Sequence, residues 1–556
     1  MKGKVLKAGF ACAAVCTVAL AAVGVSSGST ARGSASDTLV FGASADPTLL
    51  DPALVSDGES LRVADQIFEG LTALKPGTLT VIPGLATSWV ASKDAKTFTF
   101  TLRKGVNFHD GTPFNAAAVC ANFDRWYHFP TALQSDAASY YYGTVFAGFA
   151  KPGKGSPGPK SALYKSCVAT GDDMVVISLK RGFGPFTGVL SLPSFAMQSP
   201  TAMKLYGADK GTLDAQGVFR AGGTYGTAHP VGTGPYVFIS WTLGDKLVIQ
   251  RNDLYWGKRA AVKTVIFKPI ADNAARLQAL QTGEIQGFDN VEPQDMATIS
   301  KDSSLLLLDR PAFNVGYVTI NQKVKPFDNP LVRQAVAYGL DREAVVKAFY
   351  AGRGEVAMEF QPPSLLGWTK GVAQYPYNPE KAKALLKQAG LTLPVAVDFW
   401  YPTDVSRPYM PDPKRNFEAF AASLNKSGFK VTAHSAPWRP DYVGRVQAGT
   451  AGALNLIGWT GDYGDPDNFL GSFFRTEQTQ WGFNNPTLFK LLDDAVAEPD
   501  QAKRAVMYGK ANKLIMSLVL GVPYVHTKPA VAFRANVTGY IPSPVSLEPF
   551  STVVIK

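Results

Sequence analysis

Strand-like and helix-like runs alternate along this chain. Val262 to Ile270 is an apolar, β-branched run, and Asp272 to Gln281, directly after it, has helical spacing. Alternation of this kind predicts an α/β architecture in which helices cover the faces of a sheet. The chain has 556 residues, more than one hydrophobic core ordinarily serves, so we expect two or more lobes.

The first 35 residues have the three parts of a secretory signal peptide. Lysines lie at positions 2, 4 and 7, residues 9–25 are apolar and rich in Ala and Val, and residues 26–35 are small and polar. This pattern predicts cleavage after Ala35 and an exported, extracytoplasmic chain that begins near Ser36. An uncleaved anchor at the outer face of the cytoplasmic membrane is the alternative, because the apolar run is just long enough.

The cysteines divide between the signal and the exported chain. Cys12 and Cys16 lie inside the signal, and neither follows the Leu-small-small run of bacterial lipoproteins, so lipidation has no support in the sequence. Cys120 and Cys167 remain. A single pair in an oxidising compartment predicts one disulfide, with two free buried thiols as the alternative.

The charge balance argues against a nucleic-acid partner. The formal net charge is +11, and without the signal 51 basic residues stand against 44 acidic ones. No run rich in Lys and Arg and no basic helix face stands out, so this surplus is too diffuse for a phosphate-binding surface. Hydrophobic content of 46% and charged content of 18% indicate a well-packed globular protein.

Leu454 to Phe469, reading LNLIGWTGDYGDPDNF, is the stretch most suggestive of a site. An apolar run predicts a buried strand, and Gly, Asp, Pro and Asn after it predict a turn at its carboxyl end. Trp459 and Asp462 then fall where open α/β sheets hold ligands, which predicts a site for a ligand with a positive end. The alternative is that Asp462, Asp465 and Asp467 only cap the turn. Their spacing does not fit a calcium loop.

Short matches to enzyme and cofactor motifs occur in this sequence, but each lies in a structural context that the motif does not tolerate. A GxSxG match at residues 24–28 lies in the signal, and a GxGxxG match at residues 153–158 lies in a Pro/Lys-rich loop with no strand before it. The five histidines show no HExxH and no close pairing with cysteine. We therefore expect no catalytic residues, no metal and no cofactor, and a secreted hydrolase is a remote alternative.

Leu85 to Trp126, which contains KTFTFTLRKGVNFHDGTPF, resembles the signature region of family 5 of the bacterial extracellular solute-binding proteins. Further similar pieces follow in the family's order, and the likeness covers nearly the whole exported chain. These pieces are VGTGPYVF at Val231–Phe238, RNDLYWG at Arg251–Gly257, Asp272–Asp289, Asn329–Val345 and Tyr377–Gly390. Residues 133–166 depart from the family and carry KPGKGSPGPK, which predicts an exposed loop rather than a site.

The resemblance implies a two-lobed, periplasmic-binding-protein-like fold with two hinge crossings. The first lobe would span residues 36–312, with an extra subdomain at about 81–229. The second lobe would span residues 313–527 and carry the ligand anchors, and residues 528–556 would return to the first lobe.

The chain is most similar to the dipeptide-binding members, which implies a set of site residues. Arg407, Pro408 and Tyr409 match the element that holds a ligand carboxylate in those proteins, and Trp459-Thr460-Gly461-Asp462 matches the element for the amino end. Ser56 stands where they place a small hydroxyl on the opposite lobe. A surface position for Arg407 in a Pro-rich loop is the alternative.

The function implied is the capture of short peptides, dipeptides above all, for the membrane permease of an ABC importer. A free peptide is a zwitterion, so a receptor that binds both ends needs a buried acid and a buried base. Oligopeptides, a nickel complex, haem or a sugar are alternative ligands on the same scaffold. We expect a monomer.

Overall fold

The structure, a computed structural model, describes residues 37–213 and 219–556, so the predicted signal lies outside the described residues. Helices and strands alternate over both ranges, which confirms the α/β prediction. In these ranges no helix combines the length and the apolar composition that a membrane crossing needs.

The first large sheet has seven strands built around Thr38–Ala43. This strand runs parallel to its neighbours on both sides, and its inward side chains Leu39 and Phe41 are fully buried. In spatial order the strands are Tyr236–Thr242, Lys246–Arg251, Thr264–Pro269, Thr38–Ala43, Gly287–Phe288, Ala530–Arg534 and Leu305–Asp309.

The second large sheet has six strands, and its central strands are buried almost along their whole length. Such continuous apolar strands need helices on both faces, and hydrophobic clusters pack on both sides of this sheet. In spatial order the strands are Gly354–Val356, Gly521–Thr527, Asn314–Ile320, Leu454–Thr460, Val395–Thr403 and Phe429–Pro437.

The remaining strands form one four-stranded sheet and three short pairs. In Thr97–Leu102, Phe98, Phe100 and Leu102 are buried and the threonines face outward, as the alternation predicts. The four-stranded sheet contains Ala86–Ala91, Thr97–Leu102, Met174–Leu179 and Tyr164–Thr170. The pairs are Thr72–Leu74 with Val81–Pro83, Gly211–Leu213 with Phe219–Ala221, and Val537–Thr538 with Val554–Ile555.

The helices begin at the caps that the sequence predicts. Asn329 Oδ1 accepts from the backbone N–H of Leu331 at 2.9 Å, and Asn378 Oδ1 accepts from that of Lys381 at 2.9 Å. The α-helices in the described ranges are Gly58–Ile67, Ala116–Tyr127, Asp136–Phe146, Phe186–Val189, Pro200–Leu205, Tyr225–Ala228, Asn273–Thr282, Pro293–Lys301, Pro330–Gly339, Arg342–Phe349, Pro379–Gln388, Pro413–Lys426, Val443–Gln447, Leu470–Phe474, Pro486–Ala497 and Gln501–Leu518.

The chain passes between the two large sheets twice. It leaves the seven-stranded sheet after Asp309 and enters the six-stranded sheet at Asn314, and it returns between Thr527 and Ala530. The two passages are adjacent, because the backbone N–H of Arg310 donates to the carbonyl of Pro529 at 2.8 Å.

The expectation of an exposed loop at residues 133–166 is wrong. The helix Asp136–Phe146 lies within it, Tyr142 and Phe146 are buried, and their rings stack at a centroid distance of 5.2 Å. Aromatic side chains supply the apolar face of this helix, whereas the run KPGKGSPGPK that predicts a loop lies after it, at residues 151–160.

The structure joins Cys120 and Cys167 in a disulfide with a Cα–Cα distance of 5.3 Å. Cys120 lies on the helix Ala116–Tyr127, and Cys167 lies on the edge strand Tyr164–Thr170. The bridge therefore ties together the two ends of the segment that carries the helix Asp136–Phe146.

Candidate ligand-binding site

Arg407 and Asp462 follow two neighbouring parallel strands of the six-stranded sheet. Val395–Thr403 pairs in parallel with Leu454–Thr460, and Phe399 stands opposite Leu454. Arg407 and Asp462 each lie eight positions beyond that pair (407 minus 399, and 462 minus 454). Because the carboxyl ends of parallel strands meet at one edge of a sheet, both residues belong to the same edge.

The Asp462 carboxylate accepts hydrogen bonds from two neutral groups. Tyr141 Oη donates to Oδ1 at 2.7 Å, and Asn468 Nδ2 donates to Oδ2 at 3.1 Å. Burial raises the pKa of Asp462 to about 6, and the two hydrogen bonds offset only part of this rise. No cationic side chain within the described ranges contributes to the shift, so the carboxylate lacks a counter-charge.

The other two acids of this turn have structural partners. Arg504 donates to both carboxylate oxygens of Asp465, at 2.7 and 2.9 Å, and Arg475 Nη1 donates to Asp467 at 2.6 Å. Asp465 Oδ1 also accepts from the backbone N–H of Asp467 at 2.9 Å. The turn-capping alternative therefore describes Asp465, whereas Asp462 is left free to meet a ligand.

The Arg407 guanidinium is also unmatched in charge. Its Nε is buried without a hydrogen-bond partner, and within the described part of the chain it forms no ion pair. Its Cζ lies 4.6 Å from the ring centroid of Trp438. An aromatic face holds a guanidinium in place while leaving its in-plane N–H groups available for a carboxylate.

Residues 407–410 are fixed by the strand Gly521–Thr527, which leads to the second passage, and by Tyr350 at the end of the helix Arg342–Phe349. The Tyr409 carbonyl accepts from Tyr350 Oη at 2.9 Å and from Tyr524 Oη at 3.0 Å, and the Pro408 carbonyl accepts from Thr527 Oγ1 at 2.8 Å. The Tyr409 ring lies against Gly458, where any side chain would collide with it. The Arg407 segment is thereby packed directly onto the strand that leads to Asp462.

Trp459 and Thr460 end that strand, and Gly461 follows it. Trp459 is half-buried with its ring centroid 6.0 Å from that of Phe473, and Thr460 is half-buried beside Asn314 in the ladder. The Gly461 N–H donates to the carbonyl of Phe313 at 2.8 Å, and the Phe313 ring fills the space that a side chain would need. These contacts fix the backbone from which Asp462 projects.

Ser56 is exposed, just before the helix Gly58–Ile67. Burial, Asp462 and, more weakly, the neighbouring Asp57 raise the pKa of the Tyr141 phenol above its usual value. Asp57, which follows Ser56 in the sequence, is therefore close enough to Tyr141 for its charge to act on the phenol. Tyr141 is a site residue that sequence reasoning missed, and the run SYYYG within residues 139–143 was the available signal, because consecutive tyrosines are unusual in an exposed loop.

The two charged residues line different cavities. Asp462 lines a cavity of about 250 Å³ together with residues of the first part of the chain and of the C-terminal segment. Arg407 lines two others, of about 40 and about 770 Å³. Within the described part of the chain, no group of three or more His, Cys, Asp or Glu side chains is arranged to hold a metal ion.

Comparisons with known proteins agree on one family. A model described as bacterial extracellular solute-binding proteins, family 5, middle region, matches residues 80–481. The "Dipeptide-binding protein" of Escherichia coli strain K12 is 32% identical over 93% of this chain and 95% of its own length. The "Heme-binding protein A" of Haemophilus influenzae is also 32% identical, over 94% of this chain and 93% of its own.

A solved structure gives the same result for the fold. The ABC transporter-associated periplasmic binding protein DppA from Helicobacter pylori, in complex with peptide STSA, superposes with a TM-score of 0.77 at 28% identity, over 93% of this chain and 98% of that one. The two-lobed periplasmic-binding-protein fold expected from the sequence is thereby confirmed. The chain belongs to family 5 of the bacterial extracellular solute-binding proteins.

Proposed function

We propose that this protein captures short peptides, dipeptides above all, outside the cytoplasm and delivers them to the permease of an ABC importer. The observation that carries the proposal is the pair formed by Asp462 and Arg407. One carboxylate and one guanidinium, both lacking a counter-charge among the described residues, follow matched positions of adjacent parallel strands. Desolvated charges without partners are costly, and a zwitterionic ligand would supply both partners at once.

Each end of the ligand meets a group suited to it. The Asp462 carboxylate binds the peptide ammonium, while Tyr141 and Asn468 hold the carboxylate in position. The planar fork of Arg407 binds the terminal carboxylate through two hydrogen bonds, with Trp438 fixing the plane of the guanidinium. Trp459 and Thr460 lie along the peptide on one side, and Ser56 contributes a hydroxyl from the other lobe.

Capture involves closure of the two lobes around the ligand. The lobes of the proposal are residues 36–312 with 528–556, and residues 313–527, and the passages 309–314 and 527–530 act as hinges. The contacts that cross between them in this structure include the Tyr141–Asp462 hydrogen bond and, away from the passages, a bond of 2.7 Å from the Gly184 N–H to the Val496 carbonyl. Ligand stabilises the closed form because only that form completes contacts on both sides.

The names of the relatives support a peptide ligand, and they also include haem as a competing ligand. The printed names include a dipeptide-binding protein, a heme-binding protein and a complex with a peptide. A shared scaffold does not select among such ligands, so the choice of ligand must come from the charges of the site. Haem carries carboxylates but no ammonium, and it would leave Asp462 without a counter-charge.

Calorimetric titration tests the proposal. The wild type should bind dialanine, whereas N-acetyl-dialanine, dialanine amide and haemin should bind far more weakly. Asp462→Asn and Arg407→Gln should each lose about 2 to 5 kcal/mol of binding free energy for dialanine.

Two exposed substitutions serve as matched controls. Arg415→Gln and Asp245→Asn remove the same charges from exposed positions and should leave dialanine affinity unchanged. Equal affinity of the wild type for dialanine and its N-acetyl derivative would overturn the role of Asp462, and tight binding of haemin alone would overturn the peptide proposal.

A further inference from the structure

The cavity beside Asp462 extends away from the strand ends into the first part of the chain. It has a volume of about 250 Å³, large enough for several water molecules or for a ligand side chain. Asp462 lies on its wall together with Asp65 and Glu69, which flank the end of the helix Gly58–Ile67, and the aromatic side chains Tyr255 and Trp256.

Glu69 is fully occupied by neighbouring donors. Its carboxylate accepts from Thr233 Oγ1 at 2.7 Å, from Tyr255 Oη at 2.6 Å and from Trp256 Nε1 at 2.8 Å. Three neutral donors satisfy this group and fix the two aromatic rings, so Glu69 has a structural role. It still contributes negative potential to the cavity.

Asp65 has no such partners among the residues that the structure describes. Burial and the charge of Glu69 raise its pKa to about 7, Arg62 offsets part of this, and no hydrogen bond contributes. Arg62, one turn earlier on the same helix, is already engaged with Asp289 at 2.6 Å and with Glu548 at 3.6 Å. Asp65 therefore forms no ion pair with the rest of the described chain.

The lining of the cavity is acidic overall. Its acids are Asp65, Glu69 and Asp462, and the base among the described lining residues is Lys75, which is exposed on the turn between two short strands. A cavity with this balance and a partly buried carboxylate that has no ion pair attracts a cation on an apolar stem. The stem packs beside Tyr255, since the face of Trp256 is already covered by Arg103, whose Cζ lies 4.3 Å from the ring centroid.

We propose that this cavity is a subsite for a basic side chain on the first residue of the peptide, with Asp65 as its counter-charge. The assignment rests on the proposed function, because Asp462 must hold the ammonium for the adjacent side chain to enter the same cavity. The ligand class is then a dipeptide that begins with Lys, Arg or ornithine. Acidic first residues are disfavoured by the like charges of the wall.

The test compares dipeptides that differ only at the first side chain. Lys-Ala, norleucine-Ala, Glu-Ala and dialanine are titrated at pH 7.5 into the wild type and into Asp65→Asn. Norleucine keeps the stem and removes the charge, so the ratio of Lys-Ala to norleucine-Ala affinity isolates the ion pair. We expect the wild type to favour Lys-Ala by about ten- to a hundredfold and to bind Glu-Ala more weakly than dialanine.

Asp65→Asn should abolish the preference for Lys-Ala while keeping the affinity for dialanine. Asp245→Asn, at an exposed turn, should keep the preference. Equal binding of Lys-Ala and norleucine-Ala by the wild type would overturn the subsite and leave the proposed function standing. If the wild type binds none of the dipeptides, the proposed function and the subsite are both wrong. The comparison of ligands on the wild type decides the question even if the variant fails to fold.

Discussion

The hydroxyl of Tyr141 donates a hydrogen bond of 2.7 Å to Oδ1 of Asp462, although 321 positions separate the two residues in sequence. Tyr141 lies on a helix beside the four-stranded sheet, and Asp462 follows a strand of the six-stranded sheet. In the proposed function this bond has two effects, because it orients the carboxylate toward the ammonium and holds the two lobes together.

Dialanine affinity should depend on pH through Asp462. Its pKa is raised to about 6, so below that pH the ligand-free protein carries a neutral carboxyl that must lose its proton before it can pair with an ammonium. Affinity should fall about tenfold for each pH unit below 6 and be level above it, until the peptide amine loses its own proton near about pH 8. Calorimetry from pH 4.5 to 7.5 measures the profile. Asp462→Asn should bind weakly with a flat profile, and a flat wild-type profile would contradict the assignment.

Tyr141→Phe should weaken binding and move the pH profile in a defined direction. A hydrogen bond to a charged group contributes about 1.5 to 3 kcal/mol, so dialanine affinity should fall by roughly tenfold or more. The bond lowers the pKa of Asp462, so its removal should shift the midpoint of the profile above 6. Tyr127→Phe, on another helix, is the control and should change neither quantity. Weaker binding with an unchanged midpoint would mean that Tyr141 stabilises the contact between the lobes and does not affect the pKa of the Asp462 carboxylate.

Ligand length should be restricted by the fixed positions of the two anchors. An extended peptide spans at most about 3.3 to 3.6 Å per residue, so each added residue must bulge or leave the terminal carboxylate away from Arg407. A titration series from dialanine to pentaalanine should show falling affinity, with trialanine retaining part of it through bridging water. In the Arg407→Gln variant, affinity should differ little between the short and the long peptides. Pentaalanine binding as tightly as dialanine in the wild type would favour a general oligopeptide receptor.

Arg310→Gln should destabilise the whole fold. Arg310 is 1% exposed at the first passage between the large sheets and pairs with Asp289 and Glu548. Removing it leaves buried carboxylates undercompensated, at a cost of about 3 to 5 kcal/mol in the free energy of unfolding. Urea unfolding at pH 7 measures the loss, and the exposed Lys104→Gln serves as the control with unchanged stability.

The same variant should alter the response to acid. Burial alone would raise the pKa of Asp289, but Arg310 and Arg62 lower it to about 2. A lowered pKa means that stability is present above the unfolded value of about 4 and is lost as the pH falls toward 2. Arg310→Gln should reduce this acid-dependent loss. An unchanged slope of stability against pH would contradict the pairing.

Local sequence patterns predicted most of the helices and strands, because apolar spacing and cap residues act between residues that are close in the chain. Asn329 and Asn378 cap their helices, and the run from Leu454 becomes a buried strand, as apolar spacing and cap residues predict. The family resemblance then predicts the arrangement of lobes, which no local pattern shows. The matched register of Phe399 and Leu454 could not be predicted from the sequence, because strand order within a sheet depends on contacts distant in the chain.

The candidate site was predicted only in part, for the same reason. Asp462 and Arg407 stand out in the sequence by residue type and neighbours. The sequence does not show that Arg504 and Arg475 pair with Asp465 and Asp467, which leaves Asp462 without a counter-charge among the described residues. The partners Tyr141 and Asp65 were missed. Tyr141 belongs to a segment in which the run KPGKGSPGPK drew the prediction of a loop, and Asp65 is one acid on an amphipathic helix, where nothing local shows that it lacks a partner among the described residues.

In the proposed function, the disulfide between Cys120 and Cys167 makes peptide affinity depend on oxidation of the exported chain. Tyr141 lies inside the covalent ring that this bond closes between two cysteines 47 positions apart, so the bond limits how far the tyrosine can move from the helix and strand that carry the cysteines. A chain kept in a reducing cytoplasm would lack this tether. Under the proposed function, we expect such a chain to bind peptide less well than secreted material of the same sequence, because Tyr141 would hold Asp462 less firmly.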